Sequence, residues 1–393
     1  MLSGLDIVCF ATDWDQDPLS KHHIMRRLAG PNRVLWVDSI GLRRPALRAG
    51  DAARAARKLR AFWGSRLREA LPGLHVLSPL ALPYHGNPAA DAVNRMLLSR
   101  QVRAALRGLG MRRPVLWTFL PSAEPLAGSL GERLVVYHIT DDFTRFAGHP
   151  AENIERMERR LVARADLVIA SARRLAQTKA YGGKTVHVVG HGVEHAHFAR
   201  ALAMGRGQLP PDIAALPRPL IGFHGEINDW IDTGLLAGLA RARPQWTLAL
   251  VGRIAAEAGG VDRLLGLPNV RWLGQKPFAE LPGYCAAFDV ALIPMKLNEL
   301  TRSVNPLKLR EYLAAGVPVV SAPLPEVGPY GDVVRFAATA QDYITAIEEL
   351  LQQDRAAIAP TLSARVAGES WDARTAEIGR LVEAALARKE IPQ

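Results

Sequence analysis

With 393 residues the chain is longer than one hydrophobic core usually supports, and two domains of roughly two hundred residues each are expected. A composition 49% hydrophobic and 22% charged excludes a disordered or low-complexity chain, and only two cysteines, Cys9 and Cys285, far apart in apolar text, exclude a disulfide scaffold. The net charge of +11 calls for an anionic partner, and the general candidates are a membrane surface or nucleic acid.

Both cysteines read as reduced core thiols. No stretch approaches the ~20 apolar residues of a membrane span, and Met1 to Phe10 lacks the basic start and long apolar run of a leader, so a cytoplasmic protein is expected. In chain order, Asp6 to Ala11 reads as a buried strand, Ser20 to Ala29 as a helix capped by Ser20, and Val34 to Asp38 as a second strand. The loop between the first strand and its helix carries Asp13, Trp14, Asp15 and Asp17, not the glycines of a dinucleotide fingerprint. A sugar stacks on Trp and bonds to Asp, so Trp14 and Asp15 are candidates to bind a sugar; a Trp14 ring packed sideways is the competing reading.

Residues 43–68 concentrate arginines, with Leu59, Phe62, Trp63 and Leu67 between them. A basic amphipathic helix lying on an anionic membrane fits this text, as does a solvated helix with a core stripe. No nucleic-acid fold signature accompanies the charge. Strands are expected at His75 to Ser78, Pro114 to Phe119 and Leu134 to Ile139, with a helix over Ala89 to Gly108. Ligands of open α/β sheets gather at the carboxyl ends of strands, which makes Asp141 and Asp142 candidates to activate or orient an acceptor, unless one merely orders the turn or caps the next helix. Helices at Ile154 to Ala163 and Ala172 to Tyr181 alternate with strands at Leu167 to Ala170 and Val186 to Val189. His191, His195 and His197 follow, but their spacing is not a ligand set, and no metal is expected.

Gly205 to Pro219 is rich in Gly and Pro and marks a boundary. Strands at Leu220 to Phe223, Trp246 to Gly252, Val270 to Leu273 and Asp289 to Pro294, with a helix at Leu281 to Phe288, describe a second α/β domain, and Gly225 permits close backbone approach after its first strand. The central stretch is Arg302 to Ser321: loop, short helix, Gly316, and a strand over Val317 to Val320. Pro306 suits the first helical position, where backbone donors form an anion site. Lys308 and Glu311, three apart, share one helical face. A cation for phosphate and a carboxylate for ribose hydroxyls are then neighbours; a solvated pair on an amphipathic helix is the plainer alternative. A last helix pair is expected over Ala340 to Gln352, capped by Thr339, and Ser370 to Lys389, capped by Ser370.

Asn305 to Ser321, NPLKLREYLAAGVPVVS, resembles the nucleotide-sugar signature of the GT-B glycosyltransferases, in particular a teichuronic-acid and capsule-type subset of the group 1 retaining transferases. The segments 165–171, 191–198 and 274–294 resemble further ordered motifs of that family. The resemblance implies two Rossmann-like doubly wound domains facing across a cleft: an acceptor-side domain 1–198, a linker 199–219, a nucleotide-sugar domain 220–370, and a helix 371–393 returning to the first domain. It implies a nucleotide-sugar co-substrate without cofactor or metal, a saccharide or lipid-linked saccharide acceptor, and retention at the transferred carbon. Glu311 matches the residue that binds the donor ribose, whereas the family's first Glu is Ser303 here. By the same resemblance Gly225, Arg253, Ser303, Val304, Asn305 and Lys308 line the donor site. Lys308 with Arg302 or Arg253 offsets the charge of the departing diphosphate, Asp141 or Asp142 positions the acceptor, and His138 is the nearest analogue of a positioning histidine. A nucleotide-sugar epimerase of the same fold and a non-catalytic binding partner are the alternatives.

Overall fold

The computed structural model describes residues 2–39, 67–80 and 88–390; most of the arginine-rich stretch 43–68, and with it the membrane-helix expectation, lies outside them. The chain divides into two compact units, Met1–Gly190 with Arg374–Gln393, and His191–Ala373.

The first unit is built on β1 (Asp6–Phe10), β2 (Arg33–Val37), β3 (Leu67–Leu71), β4 (Leu74–Leu77), β5 (Val115–Thr118), β6 (Leu134–Ile139), β7 (Leu167–Ala170) and β8 (Val186–Val188). They form one eight-stranded sheet in the order β3-β4-β2-β1-β5-β6-β7-β8. All neighbours are parallel except β3 and β4. The central strands β5, β6 and β7 are buried throughout because helices cover both faces of such a sheet. The helices are α1 (Ser20–Leu28), α2 (Pro88–Gly108), α3 (Ala151–Arg164) and α4 (Arg173–Thr178).

The second unit contains α5 (His195–Ala199), α6 (Pro211–Ala214), α7 (Thr233–Ala242), α8 (Val261–Leu265), α9 (Leu281–Ala287), α10 (Leu307–Ala314), α11 (Ala340–Leu351) and α12 (Arg355–Ala364). Its strands are β9 (Leu220–His224), β10 (Thr247–Val251), β11 (Val270–Trp272), β12 (Val290–Ile293), β13 (Val319–Ser321) and β14 (Val334–Phe336). They make a wholly parallel sheet ordered β11-β10-β9-β12-β13-β14. The terminal helix α13 (Trp371–Glu390) is grouped with the first unit from Arg374 onward. Each sheet reverses its strand order once, between β1 and β5 and between β9 and β12, and ligands of open α/β sheets bind at such reversals.

Several local expectations change. Leu67 and Arg68 belong to strand β3, which pairs antiparallel with β4, and not to a basic helix. Ser20 is the first residue of α1; Leu19 holds the cap position, and its N–H is bonded by the His22 ring at 3.0 Å. Pro306 precedes α10 as its cap. The segment 199–219 carries α6, whose Ile213 is fully buried in the core of the second unit. Thr339 and Ser370 do cap their helices. Among the described residues no helix is long and apolar enough to cross a membrane.

Candidate functional site

At the carboxyl end of β9 the chain passes from His224 into Gly225, and at the end of β10 into Gly252. Both glycines hold left-handed φ values, +128° and +142°. The Gly225 N–H donates to the Val251 carbonyl at 2.9 Å, and a Cβ on Gly252 would run into the carbonyl of Gly225. A Cβ on Gly225 would lie 2.9 Å from Cε of Lys308. The two turns therefore form a bare backbone floor over which the Lys308 side chain lies, with its ammonium 5.2 Å from the centre of the Phe223 ring.

Lys308 and Glu311 come from the first two turns of α10, whose start has no side-chain cap, so backbone donors there are open to an anion. Leu309, Tyr312 and Leu313 bury the opposite face. The His224 N–H donates to the Tyr312 hydroxyl at 2.7 Å, and the His224 Nε2 stands 3.5 Å from a Glu311 carboxylate oxygen. Burial raises the Glu311 carboxyl to about 7, against the opposing pull of Lys308. Burial likewise lowers the Lys308 ammonium, with Glu311 and Glu226 acting against it. Burial, with Lys308 adding to it, holds His224 neutral at about 3. One cation, one carboxylate and one neutral imidazole thus share a poorly solvated corner beside a glycine floor.

The remaining second-unit candidates are arranged differently. Arg253 is exposed and pairs with Glu226, and Arg302 is exposed and pairs with Glu299 at 2.9 Å. Ser303 is buried and Val304 half-buried against the core. The Asn305 side chain is held inward: its carbonyl oxygen accepts from Arg310 at 2.8 Å, while Arg310 also pairs with Glu369 at 2.7 Å. Arg310 therefore fixes the loop leading into α10, a role that the sequence pattern did not single out.

In the first unit Asp142 is occupied: its carboxylate accepts from Lys179 at 2.8 Å and from the Thr144 hydroxyl at 2.5 Å, and Lys179 also pairs with buried Glu158. Asp141 is the half-buried neighbour, bonded by the Thr140 hydroxyl. His138 is buried inside β6 and stacked on Phe119 at 4.9 Å. Trp14 is not an open platform for a sugar; it is buried, edge-on to Trp36 at 4.9 Å, with its backbone N–H donating to Asp38. Asp15 is exposed and pairs with Arg68. His195 bonds to Ser363 and His197 to the Phe278 carbonyl, each in its own packing role. Among the described residues no group of three or more His, Cys, Asp or Glu is placed to hold a metal ion.

Residues 218–353, which include β9, Gly225, Arg253, Lys308 and Glu311, match the family described as glycosyl transferases group 1. The chain is 31% identical over 217 residues to the "putative teichuronic acid biosynthesis glycosyltransferase TuaH" of Bacillus subtilis. That match covers 51% of this chain and 52% of TuaH, so the chain spans about half the length of this curated relative. The sucrose-phosphate synthase of Thermosynechococcus elongatus superposes with a TM-score of 0.73 at 15% identity, over 98% of this chain and all of that one. Anabaena HepE, solved with UDP and glucose, gives 0.68 at 15% identity, over 97% of this chain and all of that one.

The chain has the GT-B fold, and residues 218–353 of its second unit match the group 1 glycosyl transferases. At 15% identity the two solved structures speak for fold alone. The matched residues contain every member of the Gly225, Lys308 and Glu311 cluster. The residues that sequence reading missed are His224, whose place at a strand end gives it no distinctive spacing, and Arg310, whose partners lie far along the chain.

Proposed function

We propose that the protein transfers a sugar from a nucleotide-sugar donor to a hydroxyl of a saccharide or lipid-linked saccharide acceptor, in the assembly of a bacterial polysaccharide or glycoconjugate. The observation that carries the reading is the juxtaposition of Lys308 and Glu311 over the Gly225–Gly252 floor, inside the segment that matches group 1 glycosyl transferases. The diphosphate lies along the glycine backbone, with the Lys308 ammonium and the open N–H groups at the start of α10 receiving its oxygens. As the bond to the sugar breaks, negative charge grows on that diphosphate, and a preorganised cation in a poorly solvated site stabilises it. No divalent metal is required for that role, and retention at the transferred carbon is the outcome the family resemblance implies. Ionised Glu311 accepts hydrogen bonds from the ribose hydroxyls, with His224 beside it. On the acceptor side Asp141 is the carboxylate left to orient the attacking hydroxyl, because Asp142 is taken up by Lys179. The TuaH likeness and the net charge of +11 favour an acceptor on an anionic polymer or membrane lipid.

A thermal-shift panel of UDP, GDP, dTDP and their sugar conjugates tests the donor site. A ligand at ~100 times its dissociation constant stabilises the folded state by ~2.7 kcal/mol. The productive donor then serves in a transfer assay, where Lys308→Met is expected to lower kcat by about a hundredfold or more. No shift with any nucleotide, or full turnover in Lys308→Met, refutes the assignment. Ser303, standing where the family has its first Glu, favours a second reading, a binding partner without catalysis, and that reading predicts a nucleotide shift with neither transfer nor hydrolysis.

A further inference from the structure

The first unit has its own unexplained cation. Lys21, in the first turn of α1, is only 4% exposed, and no hydrogen bond or ion pair joins it to any described residue. A buried ammonium group without a close ion pair or hydrogen bond is costly, so one persists where a ligand can offset it. Its surroundings are also short of partners. The His22 Nε2 and the Thr12 hydroxyl are buried without hydrogen bonds among the described residues, and both belong to the loop and helix that follow β1, at the strand-order reversal of the first sheet. The His22 ring is fixed between Trp14 and Trp36, at 5.5 and 4.9 Å. Burial lowers the Lys21 ammonium while Asp141, at the end of β6, acts to keep it charged. Burial holds His22 neutral at about 3, with its neighbour Lys21 adding to the effect.

We infer that Lys21, with the unpartnered His22 and Thr12 atoms, forms an anion subsite in the first unit that takes a phosphate or carboxylate group carried by the acceptor. This rests on the glycosyl-transfer reading for the word acceptor, but the anion site itself does not. The ammonium supplies the charge, the Thr12 hydroxyl donates to an anionic oxygen, and the neutral His22 ring donates a second bond from Nε2–H, since its Nδ1 already accepts from the Leu19 N–H. Asp141 then sits beside an acceptor anchored by its charge.

The test uses the full chain carrying Lys308→Met, which removes the cation of the donor site. Inorganic phosphate and glucuronate are added at constant ionic strength, with glucose as the neutral control. Phosphate, glucuronate or both should raise the melting temperature, and which of them does so tells phosphate from carboxylate. Adding Lys21→Met should abolish that shift and also raise the melting temperature without ligand, because it removes a buried unpaired charge. Loss of every anion shift in Lys308→Met alone overturns the inference, and so does a Lys21→Met protein that melts lower without ligand yet keeps its anion response. Should Lys21→Met fail to fold, the 13C-lysine spectrum of the wild-type chain decides. The Lys21 Cε resonance, assigned by its absence from Lys21→Arg, must move on phosphate titration; a stationary resonance refutes the subsite. Nucleotide binding that survives Lys308→Met counts against the donor reading only.

Discussion

The Glu311 carboxyl titrates at about 7 in the folded chain, against 4.5 for an unperturbed Glu, and burial is the main cause. In the folded state this group therefore holds its proton through a pH range in which the unfolded chain has lost it. Its contribution to stability is fully present below pH 4.5 and is lost as pH rises through 7. A displacement of roughly 2.5 units corresponds to about 3 kcal/mol, since each unit is worth 1.36 kcal/mol. Glu311→Gln keeps the volume and removes the proton. Urea unfolding of wild type and variant from pH 5 to 8.5 should show the variant gaining on the wild type by up to about 3 kcal/mol across that range. Titrating groups remote from Glu311, including His22 and His138, are common to both proteins and cancel in the difference. A nucleotide whose ribose hydroxyls donate to Glu311 favours its ionised form, so binding at pH 7 should release a proton, measurable by calorimetry in buffers of different ionisation enthalpy. A wild-type-minus-variant difference that stays constant with pH refutes the reasoning, whatever happens to activity.

Three further outcomes are expected. Gly252→Ala, whose Cβ meets the backbone carbonyl of Gly225 at a positive φ, should cost about 1–3 kcal/mol in a thermal melt and weaken nucleotide binding with it. His22, His138 and His224 are each held neutral, near 3, so the unfolded chain binds protons that the folded one refuses as pH falls below 6.5. At pH 5 each costs up to about 2 kcal/mol, and His138→Phe should remove that share, seen as a stability difference that grows only below pH 6.5. Lys179→Met leaves Glu158 and Asp142 buried without their cation and should destabilise the first unit by about 3–5 kcal/mol, while nucleotide affinity at the second unit stays unchanged in equilibrium titration.

The parallel strands were legible because burial on both faces leaves a continuous apolar run, as in Leu134–Ile139 and Leu167–Ala170. The three-residue spacing of Lys308 and Glu311 was legible for the same kind of reason, since helical geometry alone puts them on one face. Elements whose form depends on a distant partner were not. Leu67–Leu71 is a half-exposed edge strand without strict alternation, and only its pairing with Leu74–Leu77 makes it one. Helix Arg355–Ala364 contains Pro360, which argues against a helix when read locally. Trp14 offered itself as a sugar platform because nothing in the loop reveals that Trp36 and Asp38, more than twenty residues later, take up its ring and its backbone N–H. Lys21 gave no signal, because its burial is a tertiary fact and its text, Ser20-Lys21-His22, reads as an ordinary helix start.

Lys21 and the Lys308–Glu311 pair share a physical pattern that separates them from Lys179, Arg310 and Glu124. Lys179, Arg310 and Glu124 are buried among close ion pairs, at 2.8 Å, 2.7 Å and 2.8–3.1 Å respectively, so their charges are compensated within the fold. Among the described residues Lys21 has no such partner, and the carboxylate of Glu311 is under-compensated enough that its proton is held to about 7. Both under-compensated sites follow the strand-order reversals of their sheets, where backbone turns leave room for a ligand and where the sheet itself supplies no charge. A neutral substitution therefore separates the two classes by sign. It should destabilise the chain at Lys179 or Arg310, where a partner is left bare, and stabilise the ligand-free chain at Lys21 or Glu311, where the missing partner is the substrate.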